Sequence, residues 1–192
     1  MKEKIMGNEY HLKTPLSASD IEPLRSGDRV TISGIVYTAR DAAHRRIIEL
    51  IEAEKELPIP IEGQIIYYVG PSPASPGRVI GAAGPTTSYR MDPFAPKLLE
   101  LGLKGMIGKG KRSKEVIEAM VRFKGVYMAA IGGAGALMAR AIKTARVVAY
   151  DELGPEAIRE LRVENLPAIV VNDTLGNDLY VEGQEKYRIL DA

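Results

Sequence analysis

There is no cysteine in these 192 residues, which excludes a disulfide frame, a thiolate nucleophile and any cysteine-ligated zinc or iron–sulfur site within this chain. Histidine is nearly as scarce, and His11 and His44 alone are too few for a self-contained metal site. An excess of charge is missing too. With 26 basic against 25 acidic residues and a net charge of +1, nothing drives the whole chain toward nucleic acid or an acidic membrane. The longest uncharged span, Gly125–Ala139, has 15 residues of which four are glycine, short of the roughly 20 apolar residues that cross a bilayer. The opening MKEKIMGNEYHLKTPLS has no continuous apolar segment of the secretory kind, so the expected location is cytoplasmic. No internal repeat and no low-complexity tract is found.

What is present is ordinary globular composition, 45% apolar and 27% charged, in a length that one domain accommodates with a core of its own. Residues 1–28 are polar and carry Pro15, Pro23 and Gly27, which reads as an N-terminal arm with a helical turn or two near Ser17 and Ser19. Arg29–Thr38 alternates and is rich in β-branched residues, a strand. From Asp41 the period becomes helical, with Ala43, Ile47, Ile48 and Ile51 on one face, until Pro58 and Pro60 end the segment. Strands are then expected at Gln64–Val69, Arg78–Gly84, Lys104–Gly108, Val126–Ile131, Arg146–Tyr150 and Ala168–Val171. Helices are expected at Asp92–Leu101, Ser113–Phe123 and from the glycine turn 132–135 to about Lys143. The stretch around Leu161 and Val163 reads as irregular, and Asn172–Asp178 as a turn into Leu179–Val181. Strands alternating with short helices give an α/β or mixed three-layer domain.

The chemistry is expected on the loop fed by Arg78–Gly84, where Pro85 stops an apolar run and Thr86, Thr87, Arg90 and Asp92 follow. Three cations each follow a strand: Arg40, Arg90 and Lys109. Converging on one pocket they suit a small dicarboxylate, because a planar guanidinium binds both carboxylate oxygens; taken singly, each reads as a surface charge. The run Lys104–Lys114 has five basic residues in eleven and is also what a solvated face looks like. Its near match to a phosphate-binding loop fails, since Arg112 stands where a magnesium-binding Ser or Thr is required. Gly133-Ala-Gly135-Ala-Leu-Met138 follows a strand and opens a helix, but Met138 replaces the third glycine of a dinucleotide fingerprint. Tight turning and close packing explain the same glycines. His44, one turn beyond Arg40, reads as a helix-surface histidine.

GIVYTARDAAHRR, GAAGPTTSYRMD, KGKRS and IGGAGAL, in this order and spacing, resemble the β subunit or C-terminal domain of the class I, iron–sulfur-dependent fumarate hydratases and the related L(+)-tartrate dehydratases; HLKTPLS resembles that family's opening segment. The resemblance runs from His11 to about Gly183. It implies an α/β fold of the swivelling β/β/α type, three layers with a partly open, barrel-like mixed sheet and helices outside, and reversible addition of water to fumarate to give (S)-malate. It further implies a [4Fe-4S] cluster ligated by a companion α subunit and not by this chain, in a hetero-oligomer such as α2β2. On the matching positions, Arg40, Arg90 and Lys109 would bind the substrate's carboxylates. Thr86 would take the C3 proton of malate, a role for which a hydroxyl needs its pKa depressed by those cations. Asp41, His44, Thr87, Asp92 and Arg112 are candidates to support them. Lys111 stands where the family commonly has asparagine, and Ser88-Tyr89 where small residues are usual, which bears on the choice between fumarate and tartrate. A different class of function, a free-standing carboxylate- or nicotinamide-binding module, stays open beside these.

Overall fold

Arg29–Thr38 is the strand from which the sheet is built in both directions. The structure is a computed structural model that describes residues 7–131 and 133–188; Gly132 of the glycine turn and the first six residues of the N-terminal segment lie outside them. In chain order the elements are β1 (Glu9–Lys13), α1 (Ala18–Ile21), β2 (Arg29–Thr38), α2 (Asp41–Glu52), β3 (Ile65–Tyr67), α3 (Ala95–Glu100), β4 (Gly105–Gly108), α4 (Lys114–Phe123), β5 (Val126–Ala129), α5 (Gly135–Ala141), β6 (Ile142–Ala149), β7 (Ile158–Asn172) and α6 (Leu179–Tyr187). Short 3₁₀ turns occupy Ser88–Met91 and Asp151–Glu156.

Strands β2, β3, β4 and β5 run parallel, and β7 closes the ring by pairing antiparallel with both β5 and β2. Two strands extend this barrel: β1 lies parallel to the first half of β2, and β6 antiparallel to the first half of β7. Alternation sorts the side chains into two cores. Ile65, Tyr67, Ile107, Val126 and Met128 face the barrel interior with Val30, Ile32 and Val36. Ile66, Tyr68, Met106 and Tyr127 face outward, where Ala43 and Ile47 of α2, Leu98 and Leu99 of α3 and Val116 and Met120 of α4 cover them. The expected barrel-like mixed sheet with helices outside is therefore what forms.

Several local expectations are corrected. Arg78–Gly84 is not a strand; only the isolated bridge Val69–Pro85 connects its end to the sheet. Scattered bonds hold it instead: the Tyr67 hydroxyl donates to the Ala83 carbonyl, the Ala82 N–H to Ser72 Oγ, and the Ser72 N–H to the Ala82 carbonyl at 3.1 Å. The stretch around Leu161 and Val163 is not irregular but belongs to the 15-residue strand β7. Its two-residue period is interrupted by a left-handed residue, Asn165 at φ 52°, and by a register shift opposite Ile32–Gly34. β6 starts at Ile142, and Leu179 begins a helix whose N-cap, Asp178, accepts from the Tyr180 N–H. Within the polar N-terminal segment, β1 joins the sheet and Leu12, Leu16, Ile21 and Leu24 enter the core.

Candidate functional site

Parallel strands end on the same side, and the loops that leave them collect there. Arg40 follows β2 and is the N-cap residue of α2, Tyr68 follows β3 and Lys109 follows β4. The segment Thr86–Ser88 is laid beside them by backbone bonds: Thr86 N–H donates to the Tyr68 carbonyl at 2.7 Å, Lys109 N–H to the Thr86 carbonyl at 3.2 Å, and Ser88 N–H to the Lys109 carbonyl at 2.9 Å. Thr87 and Lys109 thereby form a parallel bridge. The glycine turn holds this segment from the other side, because Ala83 N–H donates to the Gly135 carbonyl at 3.0 Å. A β-carbon on Gly135 would stand 3.0 Å from the Gly84 nitrogen, so close packing is what this glycine provides.

The 3₁₀ turn Ser88–Met91 then aims Arg90 back toward α2. Arg90 Nη2 meets Asp41 Oδ2 at 2.6 Å, and Arg40 Nη2 lies 3.9 Å from Asp41 Oδ1 and 3.0 Å from Glu156 Oε1. Two guanidiniums thus converge on one carboxylate. Arg40 and Asp41 line an open depression of about 450 Å³ with Ala42, Arg45, Leu153, Pro155 and Glu156. Lys109 is exposed and forms no ion pair among the described residues. Tyr89 is 65% exposed, whereas Ser88 is buried and bonded to the Tyr127 hydroxyl at 2.9 Å.

Beneath the loops lies a buried polar layer. Arg112, a candidate supporting residue in a basic run that could equally be a solvated face, is buried between the rings of Tyr68 and Tyr127, its guanidinium carbon 5.3 and 5.0 Å from their centroids. Its Nε donates to Asp92 Oδ1 at 2.7 Å, while Asp92 Oδ2 accepts from the Ser113 N–H at 2.7 Å. Asp92 therefore ties the Arg90 turn to the Lys109–Ser113 loop. Burial by itself would lower the Arg112 pKa, but attraction to the Tyr68 oxygen and the Asp92 carboxylate outweighs it and raises the value, so Arg112 stays charged. Tyr127 is pushed up by burial and stays neutral, donating to the Gly110 carbonyl at 2.9 Å.

The helix-surface reading of His44 is corrected: the residue is fully buried. Its Nδ1 is 2.8 Å from the Arg40 carbonyl, and its ring meets Tyr68 edge-on at 5.4 Å and stacks near Phe94 at 5.9 Å. A carbonyl only accepts, so Nδ1 carries the proton. Burial pulls the pKa down to about 4, Arg112 adds to this, and the Arg40 carbonyl and Asp41 oppose it.

The structure thus brings Arg40, Asp41 and Arg90 into contact, places Thr86, Thr87 and Lys109 side by side, and puts His44, Asp92 and Arg112 underneath. Sequence reasoning missed Glu156, Tyr68 and Tyr127, and singled out Ser88 only as a departure from the family's usual small residue. Alternation in Gln64–Val69 and Val126–Ile131 could have found the two tyrosines, which share a face with Ile66 and Met106. No pattern marks Glu156.

Comparison with known proteins shows the family of the chain. The family described as Fumarase C-terminus matches residues 2–183. The chain is 39% identical over 177 residues to a Methanocaldococcus jannaschii protein provisionally named L(+)-tartrate dehydratase subunit beta, covering 89% of this chain and 91% of that one. It is 42% identical over 154 residues to the anaerobic class I fumarate hydratase of Escherichia coli strain K12, covering 79% of this chain and 28% of that one. Identity to the mitochondrial fumarate hydratase 1 of Leishmania major is 40% over 160 residues, 82% and 29% of the two chains. The chain spans under a third of the length of these two fumarate hydratases.

Proposed function

The chain belongs to the Fumarase C-terminus family, and from that premise we propose that it is the β subunit of a two-component class I fumarate hydratase, interconverting fumarate and (S)-malate at a site shared with an iron–sulfur α subunit. The observation that carries this reading is the convergence of Arg40 and Arg90 on one carboxylate, Asp41, with Arg90 on the same loop as Thr86, the loop that pairs with the Lys109 segment. A substrate carboxylate replaces or joins Asp41 between the two forks, each charge-assisted bond contributing about 1.5–3 kcal/mol when shielded from water. Lys109 balances the second carboxylate. Thr86 receives the C3 proton of malate, its alkoxide form favoured by the surrounding cations.

The fit of a cluster to this chain is poor: there is no cysteine, and among the described residues no group of three His, Asp or Glu side chains is placed to hold a metal ion. In this reading the [4Fe-4S] cluster is ligated by the partner, and this chain's share is substrate binding and proton removal. None of the described helices is long and apolar enough to cross a membrane; the cytoplasmic location is part of the proposal.

A second reading, L(+)-tartrate dehydratase, draws support from the nearly full-length match to a chain of that name. Tartrate carries one more hydroxyl than malate, and the buried Ser88 hydroxyl is already engaged by Tyr127, so the extra group would look to Thr87 or Lys111. The test is anaerobic co-expression with a cysteine-bearing partner, followed by hydratase assays on fumarate and tartrate. Activity of the pair with neither half active alone supports the shared site, and the preferred acid decides between the readings. Tight nicotinamide binding and hydride transfer by the isolated chain would overturn both.

A further inference from the structure

Glu156 ends the 3₁₀ turn before β7, far in sequence from the loops above, yet both its oxygens are committed to them. Oε1 forms an ion pair with Arg40 Nη2 at 3.0 Å, and Oε2 accepts from the Ala42 backbone N–H at 3.2 Å. That N–H is one of the unpaired donors of the first turn of α2, so Glu156 is fastened to the helix whose N-cap residue is Arg40. On the other side Arg40 lies against Gly70, where a β-carbon would stand 2.8 Å from Nη1 and 3.2 Å from Cδ. The carbonyl of Arg40 accepts both the His44 ring at 2.8 Å and the His44 backbone N–H at 2.9 Å. Glu156 is paired with Nη2, and Arg40 Nε is buried without a hydrogen-bond partner. The fork is held in one direction while part of its donor capacity stays unused.

We propose that Glu156 is a positioning residue that sets the direction in which Arg40 presents its guanidinium to a substrate carboxylate; this rests on the carboxylate-binding reading of Arg40 given above. A free arginine stem loses its rotamer freedom when substrate arrives, and that loss weakens binding. Glu156 and Gly70 remove the freedom beforehand. The carboxylate reduces the positive field at the site and in exchange fixes its geometry, as Asp41 does for Arg90.

The test uses Glu156→Gln, which keeps an oxygen for the Ala42 N–H and so retains the start of α2. In the full chain, NMR follows solvent exchange of the Arg40 Nε–H, which is expected to speed up by about 10-fold or more as the side chain is released. In the reconstituted complex, KM for the turned-over acid is expected to rise about 10-fold with kcat within about 2-fold. In an Arg40→Lys background the same substitution should add nothing further. Unchanged Nε–H exchange, or KM effects that multiply in the double variant, overturns the proposal. A complex that turns over neither fumarate nor tartrate removes the functional reading alone, and the exchange result then still decides whether Glu156 positions Arg40.

Discussion

Acidification should destabilise this chain in part through His44. Its ring is fully buried against Tyr68 and Phe94 and its pKa is pulled down to about 4, whereas an unfolded histidine titrates near 6.5. Between these values the unfolded chain binds a proton that the folded chain refuses, so stability rises with pH in that window. The contribution is fully present above pH 6.5 and is lost as pH falls toward 4. Integrating the linkage with those two pKa values gives a loss of about 0.8 kcal/mol at pH 6, about 2 at pH 5 and about 3 at pH 4, relative to pH 8. Carboxylates add their own slope at the acid end, so the reading is a difference between wild type and His44→Asn. The asparagine amide can still donate to the Arg40 carbonyl but does not titrate. Urea unfolding at half-unit steps from pH 8 to 4 should show the two proteins converging as pH falls, the gap narrowing by about 3 kcal/mol. Parallel loss of stability in both, or a His44 ring that titrates near 6.5 by NMR, would refute the reasoning.

Thr86→Ala in the reconstituted complex should lower turnover by about 10²–10⁴-fold, the usual loss for an acid–base group, with assembly unchanged by gel filtration; near-normal turnover would remove Thr86 from the role of base. Asp92→Asn leaves the buried Arg112 charge without its carboxylate and should cost about 3–5 kcal/mol in urea unfolding. A cost below about 1 kcal/mol would mean that the Tyr68 and Tyr127 rings suffice to hold it. Gly135→Val forces side-chain atoms against the Gly84 backbone and should destabilise by about 1–3 kcal/mol while reducing turnover, because the same contact seats the Thr86 loop. Unchanged turnover would show that the glycine turn does not carry that loop.

Where one face of an element is buried, its pattern was legible. Asp41–Glu52 and Lys114–Phe123 were readable because their apolar residues recur at helical spacing, and both helices cover the outer core as that spacing requires. Arg29–Thr38 was readable for the same reason at a period of two. β7 was not: it faces β2 along one edge and both β6 and β5 along the other. It accommodates those partners through register shifts and a left-handed Asn165, each of which breaks the alternation on which a strand reading depends. Arg78–Gly84 failed in the opposite sense. Its apolar residues satisfy the strand pattern locally, but its backbone is held by the Tyr67 and Ser72 side chains and by Gly135, partners that no local pattern contains.

The site divides along the same physical line. Arg40, Arg90, Lys109 and Thr86 were accessible because each lies just past a strand or a proline stop, where loops at the ends of parallel strands gather. What holds those residues in place was not accessible, because it depends on contacts between segments remote in sequence. Arg112 shows the cost of reading charge locally: a basic run looks solvated until Tyr68, 44 residues away, and Tyr127 enclose one member of it. His44 was assigned to the surface by the same local logic, although Phe94 and Tyr68 bury it. Glu156 reaches Ala42 across 114 residues, and its partner Arg40 carries the motif while Glu156 carries none. In this chain the groups proposed to touch substrate are marked by their loops, whereas Glu156, proposed to orient Arg40, comes from the turn that leads into β7. A substitution in that turn should therefore act on substrate binding without touching any motif residue.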